Sequence, residues 1–149
     1  MQIRYANKHL NYHSSTSSTL SLLDSLSLFH SSTSMYLDAD NRPWGRWEEY
    51  LNEPGYRVKR IVVFPGKRLS LQRHAHRKEH WVIVQGEGVF TLDGAQTRVT
   101  PGDTLFIPTG GVHRIENDTE DQYLVIVETQ MGLCLEDDIE RLEDDFGRA

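Results

Sequence analysis

From Arg42 onward, apolar and polar residues alternate in short runs separated by Gly, Pro, Asn and Asp, the period-two pattern of half-buried β-strands. Residues 44–51 and 56–64 are the first two predicted strands, divided by a turn at 52–55; the second is rich in Val and Ile and ends at Pro65-Gly66. Residues 69–76 and 79–85 read as a hairpin that turns at Arg77 and Lys78. Residues 88–92 follow, and Asp93-Gly94 is a two-residue hairpin signal leading into 96–100. With 104–107, 112–116 and 122–129 the pattern gives a series of short strands at the even spacing of a sandwich or barrel.

The two ends break this pattern. After Met131, the residues Leu135, Ile139, Leu142 and Phe146 recur near helical spacing among acidic neighbours, which predicts a short C-terminal amphipathic helix with a solvated acidic face. Residues 1–40 read as a Ser/Thr-rich, disordered extension, with at most one short helix through the leucines between Leu20 and Leu28; the folded domain is predicted over 41–149. The extension lacks both the unbroken apolar core of a secretory signal and the arginines of a transit peptide. Met35 is an alternative start, because the globular pattern lies downstream of it.

Composition narrows the function classes. A formal net charge of -6 argues against nucleic acid or an anionic membrane surface as partner, and no apolar run reaches membrane-spanning length. Cys134 is the single cysteine, so no internal disulfide forms and the cytoplasm is the expected compartment.

Within 65–117 the chain carries two punctuated patterns. The first is Gly66, Gln72, His74, Glu79 and Gly86; the second is Gly102, Pro108, Gly110, His113 and Asn117. Together they resemble the two motifs of the cupin superfamily, with Gln72 standing where most cupins place a His. The resemblance implies an all-β fold, the double-stranded β-helix or jelly-roll barrel. Side-chain alternation puts Gln72 and His74 on one strand face, a turn returns Glu79 beside them, and His113 arrives from a distant strand. One amide oxygen, two imidazoles and one carboxylate form a mixed N/O set suited to one divalent ion of Zn, Mn, Co, Fe or Ni.

A closer resemblance rests on the segments Arg42-Pro43-Trp44-Gly45, Leu69-Ser70-Leu71-Gln72, His76-Arg77, Glu79-His80-Trp81, Glu136-Asp137-Asp138-Ile139 and Phe146-Gly147-Arg148. These are similar to the type II mannose-6-phosphate isomerases, a domain that also forms the C-terminal part of bifunctional mannose-1-phosphate guanylyltransferases. The resemblance implies metal-dependent interconversion of mannose 6-phosphate and fructose 6-phosphate, with a small phosphorylated sugar as partner. No nucleotidyltransferase phosphate loop precedes the domain in this sequence, so the expectation is the isomerase alone. Small cupins commonly pair, which implies a homodimer.

An aldose-ketose isomerase needs a group that carries a proton between neighbouring carbons. His76, on the predicted face of Gln72 and His74, and His80 rank first, with Lys59 third because it interrupts an apolar strand. Arg77, at the predicted turn, is the first candidate for the substrate phosphate, and Arg148 the second by its place in the family's terminal motif. The competing expectations are an iron-dependent, oxygen-using cupin and a non-catalytic cupin that binds metal or sugar.

Overall fold

The computed structural model describes residues 35–135 and 137–148. The predicted disordered extension lies outside them up to residue 34. Twelve strands are present: β1 Asp38–Arg42, β2 Gly45–Glu53, β3 Tyr56–Val63, β4 Lys67–Arg68, β5 Leu71–Arg73, β6 Arg77–Gln85, β7 Gly88–Leu92, β8 Ala95–Val99, β9 Thr104–Ile107, β10 His113–Asn117, β11 Leu124–Gly132 and β12 Glu140–Glu143. They form two antiparallel sheets, ordered β1-β2-β3-β11-β6-β9 and β12-β5-β10-β7-β8, with β4 also on β10. This is the expected all-β barrel.

The sheets face each other across an apolar core in which Val63, Ile83, Ile115, Leu124 and Ile126 are fully buried. Each such aliphatic side chain contributes about 1.5–3 kcal/mol through removal from water. Strand β6 shows how the sequence achieves this: Arg77, Glu79, Trp81 and Ile83 point inward, while Lys78, His80, Val82 and Val84 point out. Tight approaches fix the register around it. Gly86 has φ 73, and a Cβ there would lie 2.3 Å from the Tyr123 carbonyl oxygen, so only glycine is accommodated. Asp93 and Gly94 both have positive φ and close the β7–β8 hairpin as predicted. Asn117, buried at the end of β10, donates to the carbonyls of Val63 and Gln122 and accepts from Thr119, tying the β10–β11 turn to β3.

Three expectations are corrected. First, the folded region starts before residue 41. Asp38–Arg42 pairs with β2, and its polar composition concealed a strand because it lies at a sheet edge and is largely exposed. Second, there is no helix among the described residues, and the acidic tail supplies β12. Glu140, Arg141 and Glu143 pair with Arg73, Gln72 and Leu71 of β5. The open edge of β5 needs backbone partners, and the carboxylates of Glu140 and Glu143 meet the guanidinium groups of Arg73 and Arg114. Third, β5 and β6 are not a hairpin. They belong to different sheets, and residues 74–76 cross between the sheets.

Candidate metal centre

That crossing brings groups from both sheets together. His113 lies opposite Gln72 in the β10–β5 pairing, His74 is the first residue of the crossing, and Glu79 projects inward from β6. One donor atom each from His74, Glu79 and His113 lies within 4.8 Å of the others, and all three side chains are buried. His74 Nε2 is 3.3 Å from Glu79 Oε1, and His113 Nε2 is 3.5 Å from Glu79 Oε2. Donor atoms about 2.1 Å from one ion at tetrahedral angles lie about 3.4 Å apart, so these two separations suit a small divalent ion.

The tautomers point the same way. His74 Nδ1 is 2.9 Å from the Asp138 carbonyl oxygen, and His113 Nδ1 is 2.9 Å from that of Gly111. A carbonyl only accepts, so each Nδ1 carries the proton and each Nε2 turns a lone pair toward Glu79. His113 Nε2 is buried without a hydrogen-bond partner among the described residues. A lone pair facing a carboxylate in a buried site is costly unless a cation stands between them. Burial, reinforced by Arg77 and His113 and opposed by Glu79, lowers the His74 pKa to about 4, so the ring is neutral near pH 7. Burial works to raise the Glu79 pKa, but protonation of His113 or His74 and the guanidinium charge of Arg77 act the other way and lower it. Gln72 is buried beside this group, and its Oε1 accepts a 2.7 Å hydrogen bond from Ser70 Oγ. The donor set fits a divalent metal ion.

A cavity of about 130 Å³ lies beside this group, lined by the buried Gln72, Arg77, Trp81 and Glu128 and by the more exposed Arg42, Arg141 and Arg148. Among the buried residues, Trp81 Nε1 donates to both Glu79 Oε2 and Glu128 Oε1 at 3.1 Å, and Gln130 Nε2 donates to Glu128 Oε2. Burial first, and then the nearby charge of Glu79, raise the Glu128 pKa, against the opposing pull of Lys59.

The chain matches the family model described as mannose-6-phosphate isomerase C-terminal over residues 30–144. It belongs to that family. A mannose-1-phosphate guanylyltransferase from Klebsiella pneumoniae is 44% identical over 109 residues, covering 72% of this chain and 23% of the relative. The alginate biosynthesis protein AlgA from Pseudomonas aeruginosa is 45% identical over 109 residues, covering 72% of this chain and 22% of that protein. The chain therefore spans less than a quarter of the length of these curated relatives. Among solved structures, the capsular polysaccharide assembling protein CapF from Staphylococcus aureus superposes with TM-score 0.64 at 21% identity, covering 72% of this chain and 34% of CapF. An RmlC-like cupin from Shewanella frigidimarina gives TM-score 0.60 at 20% identity, covering 67% and 86% of the two chains. These two likenesses establish the cupin fold.

Within this family domain, the predicted proton carriers separate. Lys59 is buried in the cavity, with Nζ 4.6 Å from the Trp47 ring centroid and 3.8 Å from Glu49 Oε2. His80 is exposed on the outer face of β6 against Phe106, and His76 is exposed in the crossing. The face-sharing expected for His76 fails because the chain leaves the strand at Arg73, and His80 keeps its outward parity because β6 is regular at that point. Arg77 is also displaced from its expected place. It is a buried strand residue that donates from Nε to Glu79 Oε1 at 2.9 Å and from Nη1 to the Leu135 carbonyl, with Nη2 3.3 Å from His74 Nε2. Three of its five N–H groups are directed at the ligand group and its loop, and the side chain also lines the cavity. Arg148 lines the cavity.

Two residues with evident work at the site were missed. Glu128 sits in an apolar-flanked run of β11, and its inward parity was the available signal. Asp138 accepts from the backbone N–H groups of Ala75 and His76 through its carboxylate and from His74 through its carbonyl, which fixes the crossing and the His74 ring together. Its membership of the Glu136–Ile139 motif was the sign.

Proposed function

We propose that this domain interconverts mannose 6-phosphate and fructose 6-phosphate, with one divalent ion held by Gln72, His74, Glu79 and His113. The observation that supports this most is the buried group of His74, Glu79 and His113 beside a cation-lined cavity, in a chain of this family. When bound, the ion supplies Lewis acidity that stabilises negative charge developing on the sugar's carbonyl oxygen.

The protein's own groups account for the remaining needs. The substrate's reacting end lies at the buried end of the cavity, where Trp81 and the flanking core exclude water. Glu128 is the group that takes the proton from one carbon and returns it to the next. Its burial favours the protonated form enough to make the return step feasible, and its Oε atoms are oriented by Trp81 and Gln130. Lys59, on the neighbouring strand, faces the same space and supports the charge that appears on the sugar oxygens.

A coupled assay for fructose 6-phosphate formation tests the reading. Protein loaded with Mn, Zn or Co turns over, chelation stops it, and re-addition restores it. Loaded protein that holds one ion per chain yet shows no turnover with any of the three would leave a sugar-binding role in place of catalysis.

A further inference from the structure

The cavity has a second pole. Arg42, Arg141 and Arg148 meet at its exposed end, far enough from Glu79 and Glu128 to be outside their hydrogen-bond network, yet close enough to one another that Arg42 and Arg148 disfavour the charge on Arg141. Two of the three have acidic partners. Arg42 pairs with Asp40 at 2.9 Å, and Arg148 makes paired hydrogen bonds to both carboxylate oxygens of Asp144 while stacking on Phe146. Arg141 makes no ion pair among the described residues: its Nε is buried without a hydrogen-bond partner there, and burial lowers its pKa more than any other cause, with Arg148 and Arg42 adding to that and the nearby Asp144 carboxylate opposing it. A buried guanidinium N–H with no acceptor, flanked by two more guanidinium groups, is unfavourable until an anion arrives.

Strand register gives the distance to the reacting end. Arg141 lies opposite Gln72 across β12 and β5, and Gln72 lies opposite His113 across β5 and β10. Residues directly opposite in neighbouring strands project to the same side, and Gln72 and Arg141 both line the cavity. Two strand spacings of about 4.8 Å each put the Arg141 and His113 backbones about 10 Å apart. That span matches a hexose whose carbonyl end lies at the ligand group and whose far end carries an anionic ester.

We propose that Arg141, flanked by Arg148 and Arg42, is the seat of the substrate's phosphate group and makes the cavity selective for phosphorylated over neutral sugars. The identity of the sugar rests on the isomerase reading; the phosphate seat does not. Arg77 lines the same cavity, but its Nε and Nη1 are directed to Glu79 and to the Leu135 carbonyl.

The test is titration of metal-loaded full-length protein with mannose 6-phosphate, mannose and inorganic phosphate, followed by tryptophan fluorescence, since Trp44 and Trp47 line the cavity. Wild-type protein binds the phosphate ester more tightly than mannose. Arg141→Gln weakens the ester and inorganic phosphate roughly ten- to a hundredfold, leaves mannose binding and metal content unchanged, and Arg141→Lys recovers part of the loss. Equal affinity of wild type and Arg141→Gln for the ester overturns the proposal, as does a wild type that does not distinguish ester from mannose. Should Arg141→Gln fail to fold, the wild-type thermal midpoint in phosphate against chloride at equal ionic strength decides: a rise supports the seat, and no rise removes it. Phosphate-selective binding without turnover would reject isomerisation alone, whereas turnover with an unchanged KM in Arg141→Gln would reject the seat alone.

Discussion

At the floor of the cavity Arg77, Glu79, Trp81, Glu128 and Gln130 are all buried and joined by hydrogen bonds, whereas at the rim Arg42, Arg141 and Arg148 are partly open to water and share two acidic partners. The floor is preorganised: nearly every donor and acceptor already has a direction, and the lone pair on His113 Nε2 is the exception. The rim holds excess positive charge. A floor of this kind fixes a small ion and the atoms that react there, while a rim of this kind selects what the far end of the ligand carries.

The sharpest way to break the floor is to remove a donor. His113→Ala and Glu79→Ala should reduce bound metal from one equivalent to none by elemental analysis, with isomerase activity falling to background. Retention of a full equivalent by either variant would show that the ion sits elsewhere. Glu128→Gln keeps the shape and the metal but removes the proposed proton carrier, so kcat should fall about 10²–10⁴-fold with KM little changed, whereas His76→Ala and His80→Ala should stay within a few-fold of wild type. A large loss in His80→Ala with a normal Glu128→Gln would reverse that assignment.

Acid should also separate the two regions. In the metal-free protein His74 titrates at about 4, below the 6.5 of an unfolded histidine, so the unfolded chain binds the extra proton first. Stability of the chelated protein should therefore fall as the pH drops from about 6.5 to about 4, by about 3 kcal/mol once the fall is complete. Denaturant midpoints measured across this range check the sign, and His74→Gln should flatten the curve. The smallest effect belongs to the clip holding the rim strand. Arg73 and Glu140 form a bidentate but exposed pair, and Glu140→Gln should leave the thermal midpoint nearly unchanged.

The same contrast explains what could be read from the sequence. The approach of His74, Glu79 and His113 was legible, since glycine-punctuated spacing fixes which residues lie near which turn. The strands from β2 to β11, apart from the two-residue β4, were legible for the same reason, with bounds shifted by a few residues. The roles assigned to His76 and Arg77 depended on a hairpin between β5 and β6, and local alternation cannot distinguish a hairpin from a crossing between two sheets. The rim was the least legible part. Apolar residues spaced near a helical period in 135–146 do not reveal that the open edge of a strand far back in the chain will recruit that segment as a partner. The acidic residues read as a solvated face include Glu140, Glu143, Asp144 and Asp145, each of which meets an arginine.

The pairing of β12 with β5 joins Glu140 to Arg73 across 67 positions of the chain. During synthesis strands β1 to β11 and the three buried donors leave the ribosome before Asp138, which sets the His74 tautomer, and before Arg141 and Arg148, which complete the rim. The proposed metal and anion sites are therefore completed together, by residues 138–148, so a nascent or C-terminally clipped chain would hold strands β1 to β11 without the residues that finish the pocket.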